Sequence, residues 1–76
     1  MTLDKHELDG IPQITAKTLP TEDFETLLLK EGYQKVGSAP AKGNRIKVWW
    51  VHAKHRRIES ICSPDGKVTI TAYHVS

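Results

Sequence analysis

The sequence predicts an α+β domain, with one α-helix packed on a three- to four-stranded antiparallel β-meander. Two observations carry this expectation. After Thr21 the apolar residues recur at helical spacing, and from Tyr33 onward runs of β-branched and aromatic residues alternate with turn formers. The length of 76 residues adds a third, since a chain this short has room for one hydrophobic core and no more.

Residues 1–19 show no helical periodicity. Ile11, Pro12, Ile14 and Leu19 mark an N-terminal arm, with a short edge strand expected from Ile14 to Thr18 and the single α+β domain running over 20–76. Thr21 has the chemistry of a helix N-cap, and Glu22, Asp23 and Glu25 follow where carboxylates complement the positive end of the helix dipole. Phe24, Leu27, Leu28 and Glu31 fall at i, i+3, i+4 and i+7, which places three apolar side chains on one face. Gly32 is the stop signal.

Three strands are expected over Ile46–Ala53, Arg57–Cys62 and Lys67–Val75. Ser63-Pro64-Asp65-Gly66 joins the last two as a hairpin: proline suits the second turn position and glycine takes the left-handed conformation that closes the turn. A weaker turn at Lys42-Gly43-Asn44-Arg45 lets Tyr33–Ser38 pair with the tryptophan strand as a fourth.

Register then sorts side chains between the two faces. With Ser63 opposite Lys67, Cys62 faces Val68, Ser60 faces Ile70 and Ile58 faces Ala72 on the core side, while Glu59 meets Thr71 and Arg57 meets Tyr73 on the other. A two-residue loop at Lys54-His55 sets Trp49 opposite Ser60 and Val51 opposite Ile58 in the core. Trp50 and His52 then join the outer face. A three-residue loop would exchange the two tryptophans.

Charge is unevenly divided. Residues 1–38 hold four lysines against seven acids, a net −3, whereas residues 39–76 hold seven lysines and arginines against Glu59 and Asp65, a net +5, which together give the overall +2. A basic half on a nearly neutral chain points to a local anion-binding surface, although basic residues also guard sheet edges against aggregation. No stretch reaches the roughly 20 apolar residues needed to cross a bilayer. The start MTLDKHELDG lacks the layout of a secretory signal, so the expected location is the cytoplasm and no membrane partner is expected. Cys62 is the one cysteine, which excludes an internal disulfide framework and a cysteine-rich zinc site. Nucleotide-binding glycine motifs, H-E-x-x-H and G-x-S-x-G are absent, so the sequence supports no cofactor and none of the common hydrolase layouts.

The expected outer face gathers Lys35, Trp50, His52, Arg57, Glu59 and Tyr73, extended by the loop residues Lys54, His55 and Arg56. A basic surface with aromatic rings neutralises phosphates and stacks bases, so the favoured expectation is a small, non-enzymatic module binding RNA or single-stranded DNA. The alternative is a metal-independent ribonuclease in which Glu59 is the general base, His52 the general acid and Arg57 steadies the developing phosphorane charge. A third reading is a protein-interaction adaptor or inhibitor contacting its partner through Trp50 and the loop. The structural reading makes Glu59 a cross-strand ion-pair partner and Trp50 a shield for a flat sheet.

A metal is not expected, because the His52–His55 spacing on a tight turn would hold the rings apart, with Cys62 pointing inward. Cys62 reads as a buried thiol and His74 as a satisfied rim histidine. The order of helix, then hairpins ending in Thr69-Ile70-Thr71-Ala72-Tyr73, resembles in architecture small ribonuclease toxins of the RelE or barnase sort. Its helix-first part resembles the HicA sort of double-stranded RNA-binding toxin. HicA-like proteins carry a Gly-x-His segment on the strand after the helix, whereas GSAPAKGNR here contains no histidine, and RelE-like proteins place more helix before the sheet. A likeness of architecture does not transfer function.

Overall fold

The computed structural model describes residues 18–75. It contains β1 (Leu19–Pro20), α1 (Thr21–Glu31), β2 (Gln34–Pro40), a 3-10 turn (Lys42–Asn44), β3 (Ile46–Val51), β4 (Arg57–Cys62) and β5 (Val68–Val75). All strand pairs are antiparallel, in the order β1-β5-β4-β3-β2. The expected meander is therefore β2 to β5, and β1 adds a fifth strand beside β5. Of the edge strand expected at 14–18, residues 14–17 lie outside the described residues. Thr18 is a bend, and strand pairing begins one residue later, with Leu19 opposite Thr69.

The helix forms where its periodicity placed it, but its first turn is secured differently. Pro20, with φ −53° and ψ 134°, occupies the N-cap position and offers no capping side chain. Thr21 is already helical; its N–H donates to the Lys67 carbonyl at 2.8 Å, and its hydroxyl accepts a 3.3 Å bond from Thr69. The sheet thus satisfies one of the backbone N–H groups that the start of a helix leaves unpaired. At the other end Gly32 is left-handed at φ 105°, and the Gly32 and Tyr33 N–H groups bond back to Leu29 and Leu28 carbonyls at 3.1 and 3.0 Å.

The β4–β5 turn is built by Ser63 and Asp65. Gly66 N–H closes on the Ser63 carbonyl at 2.8 Å, Asp65 Oδ1 accepts from Ser63 Oγ and Lys67 N–H at 2.6 and 2.9 Å, and Gly66 has φ 74°. Ser63 N–H reaches the Val68 carbonyl at 2.8 Å, so the hairpin starts one residue out from the expected register. A bulge between Ile61 and Cys62 adds a second shift: Cys62 pairs with Thr69, while Ser60 pairs with Ala72 and Glu59 with Tyr73. Thr69 and Ala72 are consequently buried, and Val68 and Ile70, expected in the core, are not.

The core lies between α1 and one face of the sheet. Phe24, Leu28, Tyr33, Val48, Trp50, Ile58, Cys62 and Ala72 are buried, with Leu19, Leu27 and Ile46 packed around them. Phe24 meets Trp50 edge to face, with ring centroids 6.3 Å apart at 79°. Cys62 is the free, buried thiol that the sequence led us to expect. Among the described residues, no helix is long and apolar enough to cross a membrane.

Candidate functional site

The β3–β4 pairing decides which side chains reach the outer face. Trp50 pairs with Ile58, Trp49 with Glu59 and Val48 with Ser60, and residues 52–56 form a five-residue loop between the strands. The expected two-residue loop would shift this pairing by one position, and such a shift exchanges the faces of every side chain on the strand. Trp50 is therefore a core residue, 1% exposed, and Trp49 takes its place outside. Lys35 also leaves the outer face. It pairs with Trp50 and lies on the helix side, its Nζ 2.9 Å from Glu25 Oε2 and 5.9 Å from the Trp50 ring centroid.

What remains is one row across four strands: Gly37, Trp49, Glu59 and Tyr73 face one another in succession on β2, β3, β4 and β5. Glu59 is its hinge. Trp49 Nε1 donates to Oε1 at 2.9 Å, and the Tyr73 hydroxyl donates to Oε2. Lys47 Nζ stands 3.9 Å from Oε1. Partial burial pushes the Glu59 carboxyl up, but the bonds from Tyr73 and Trp49 and the charges of Lys47 and Arg57 outweigh it and hold the group below its usual value. Burial, with the adjoining carboxylate, pushes the Tyr73 phenol up to about 12. The row is thus an ionised carboxylate tying down two aromatic rings. Gly37 lies beside the larger ring, and a Cβ there would meet Trp49 Cε3 at an ordinary contact distance of 3.5 Å.

Arg57 joins this face at the loop end of β4, and Lys54 and Arg56 are exposed in the loop itself. His52 does not join it. Its Nδ1 accepts the Lys54 N–H at 2.9 Å and its Nε2 meets the Glu31 carbonyl at 3.0 Å, which docks the loop on the C-terminal end of α1. The trio Glu59, His52 and Arg57 is therefore not assembled, and the ribonuclease arrangement loses its general acid. A carboxyl held below its ordinary value is also poorly matched to general-base work near neutral pH.

His55 lies beside His52, with ring centroids 4.3 Å apart, contrary to the expectation that the turn would separate them. The longer loop brings both rings against Tyr33, at 4.8 and 6.0 Å between centroids. His74 Nδ1 lies 3.1 and 3.3 Å from the Arg56 and Arg57 carbonyls, in keeping with its reading as a satisfied histidine. Trp49, Lys47 and the Glu31–Tyr33 end of the helix were missed by the sequence reading. For Trp49 there was a signal: residues 52–56 contain no glycine, asparagine or aspartate to supply the positive φ that a two-residue hairpin loop needs.

No known protein family, curated protein or solved structure matches this chain.

Proposed function

We propose that the chain binds single-stranded RNA or DNA across the outer face of its sheet, with bases on Trp49 and Tyr73 and phosphates along Lys47, Arg57, Arg56 and Lys54. The observation that carries this reading is the Trp49–Glu59–Tyr73 row. Two rings held by one carboxylate lose little freedom when a base settles on them, so their cost of ordering is met by folding. Glu59 orients the rings, and the flanking cations offset its charge toward a phosphate chain.

The test is a titration with labelled single-stranded RNA and DNA at about 50 and 200 mM salt, followed by a gel to check that the strand is intact. Binding should weaken steeply with salt. Trp49→Ala should cost about 1–3 kcal/mol of affinity, the usual worth of one stacked base. Absence of salt-dependent binding to either strand would remove this reading and leave a protein partner. Cleavage lost on Glu59→Ala would convert the face into a catalytic one.

A further inference from the structure

We propose that Glu31, His52 and His55 form a binding site for a divalent transition-metal ion of the zinc class, at the junction of α1 and the β3–β4 loop. The donor atoms of these three residues all lie within 4.8 Å of one another. His55 Nε2 stands 4.0 Å from Glu31 Oε1, and with 28% and 39% of their side chains exposed, both groups are reachable from solvent. Tyr33 backs the two imidazoles, lying edge-on to His52 and stacked on His55. Glu31 is the last residue of α1, where the negative end of the helix dipole favours a cation.

The donor set selects the ion. Two imidazoles and one carboxylate, with a fourth position left for water, suit zinc and its borderline neighbours. A single carboxylate is a poor site for calcium or magnesium, which depend on several oxygen ligands. Metal–ligand bonds of about 2.0–2.1 Å in a tetrahedron place donors roughly 3.4 Å apart, so these donors must draw in by up to about 1.5 Å. Rotation of surface side chains accomplishes a movement of that size.

The His52 ring supplies a diagnostic signature. In the resting arrangement Nδ1 accepts the Lys54 N–H, so the ring proton sits on Nε2 and points at the Glu31 carbonyl. Coordination through Nε2 moves that proton to Nδ1, which can then no longer accept from Lys54. Coordination through Nδ1 displaces the Lys54 N–H directly and leaves the Nε2–H bond to the Glu31 carbonyl as outer support for the ligand. By either route the bond between the Lys54 amide and His52 is lost.

The experiment is a zinc chloride titration of the full chain, followed by calorimetry and by nitrogen NMR of the histidine rings and backbone amides. One ion should bind per chain, the His52 and His55 rings should shift together, the Lys54 amide should move, and the melting temperature should rise. Magnesium chloride should do none of this. His55→Ala and Glu31→Gln should each weaken zinc by more than about tenfold, while His74→Gln leaves it intact. These positions lie outside the core, and a urea titration of each variant confirms that it is folded. No saturable binding at about 1 mM zinc, binding that survives His55→Ala, or binding that leaves the Lys54 amide unmoved would overturn the assignment. The site shares no ligand with the Trp49 row, so its failure and that of the nucleic-acid reading are separable.

Discussion

Trp49 and Trp50 are neighbours in sequence and opposites in every physical respect. Trp50 is sealed between Phe24 and the sheet, and its indole N–H finds no partner among the described residues. Trp49 is half-buried on the other face, and its N–H is spent on Glu59. The core thus uses its tryptophan as volume, with the indole N–H unpaired among the described residues. The outer face uses the same side chain as a positioned donor. The difference teaches that one side-chain type serves as packing volume on the helix face and as a hydrogen-bond donor on the outer face.

The strongest way to break this contrast is at Trp50. Trp50→Ala should cost about 3–5 kcal/mol in urea unfolding, by opening a cavity beside Phe24, whereas Trp50→Phe should cost much less because the lost N–H has no partner among the described residues. Trp49→Ala should lower stability by a smaller amount, about 1–2 kcal/mol, since the ring is only half-buried and carries one bond to a charged group. Equal losses at the two positions would contradict the division of roles.

pH sharpens the comparison because both titrating members of the row lie on the outer face. Glu59 has its carboxyl lowered from 4.5 in the folded chain, so its contribution is present above that value and disappears as pH falls through the lower folded one. Glu59→Gln should therefore flatten the acid limb of stability, measured as urea midpoints between about pH 6 and 3. Tyr73 behaves in the opposite sense. Its phenol is raised from 10.0 to about 12, so its stabilisation is complete below pH 10 and is lost as pH climbs toward 12. Tyr73→Phe should remove that alkaline decline.

The smallest effect belongs to Gly37→Ala. The new methyl would meet Trp49 Cε3 at an ordinary contact distance of 3.5 Å, so stability should change by no more than about 0.5 kcal/mol. A larger loss would mean that the Trp49 ring sits closer to β2 than the geometry indicates.

Much of the fold was legible because it is encoded locally. The helix boundaries follow from Gly32 and the apolar spacing, and the β4–β5 hairpin follows from Ser63-Pro64-Asp65-Gly66. Arg57, Glu59 and Tyr73 were placed on the correct face for an instructive reason. The turn shifts the β5 pairing by one residue and the Ile61/Cys62 bulge by another, and two such shifts restore the parity. The β3–β4 loop has no compensating bulge, so its extra length put the wrong tryptophan outside. Lys35 was expected on the face of Trp50 and does pair with it, so it moved to the helix side together with that tryptophan. The meeting of Glu31 with His52 and His55 was illegible, since it depends on where the helix ends relative to a loop twenty residues away.

The helix also acts as a measured crossbar. It leaves β1 at one edge of the sheet and delivers the chain to β2 at the other, four strand spacings or roughly 19 Å away. Eleven helical residues span about 16 Å, and Gly32 and Tyr33 cover the remainder. Length is therefore a design variable in this molecule. The hairpins of the meander join near neighbours and can form early, but the pairing of Leu19 with Thr69 closes a ring of about fifty residues. Removing one turn from the crossbar should leave the hairpins able to form and the ring unable to shut, producing a slow, strained final step in refolding.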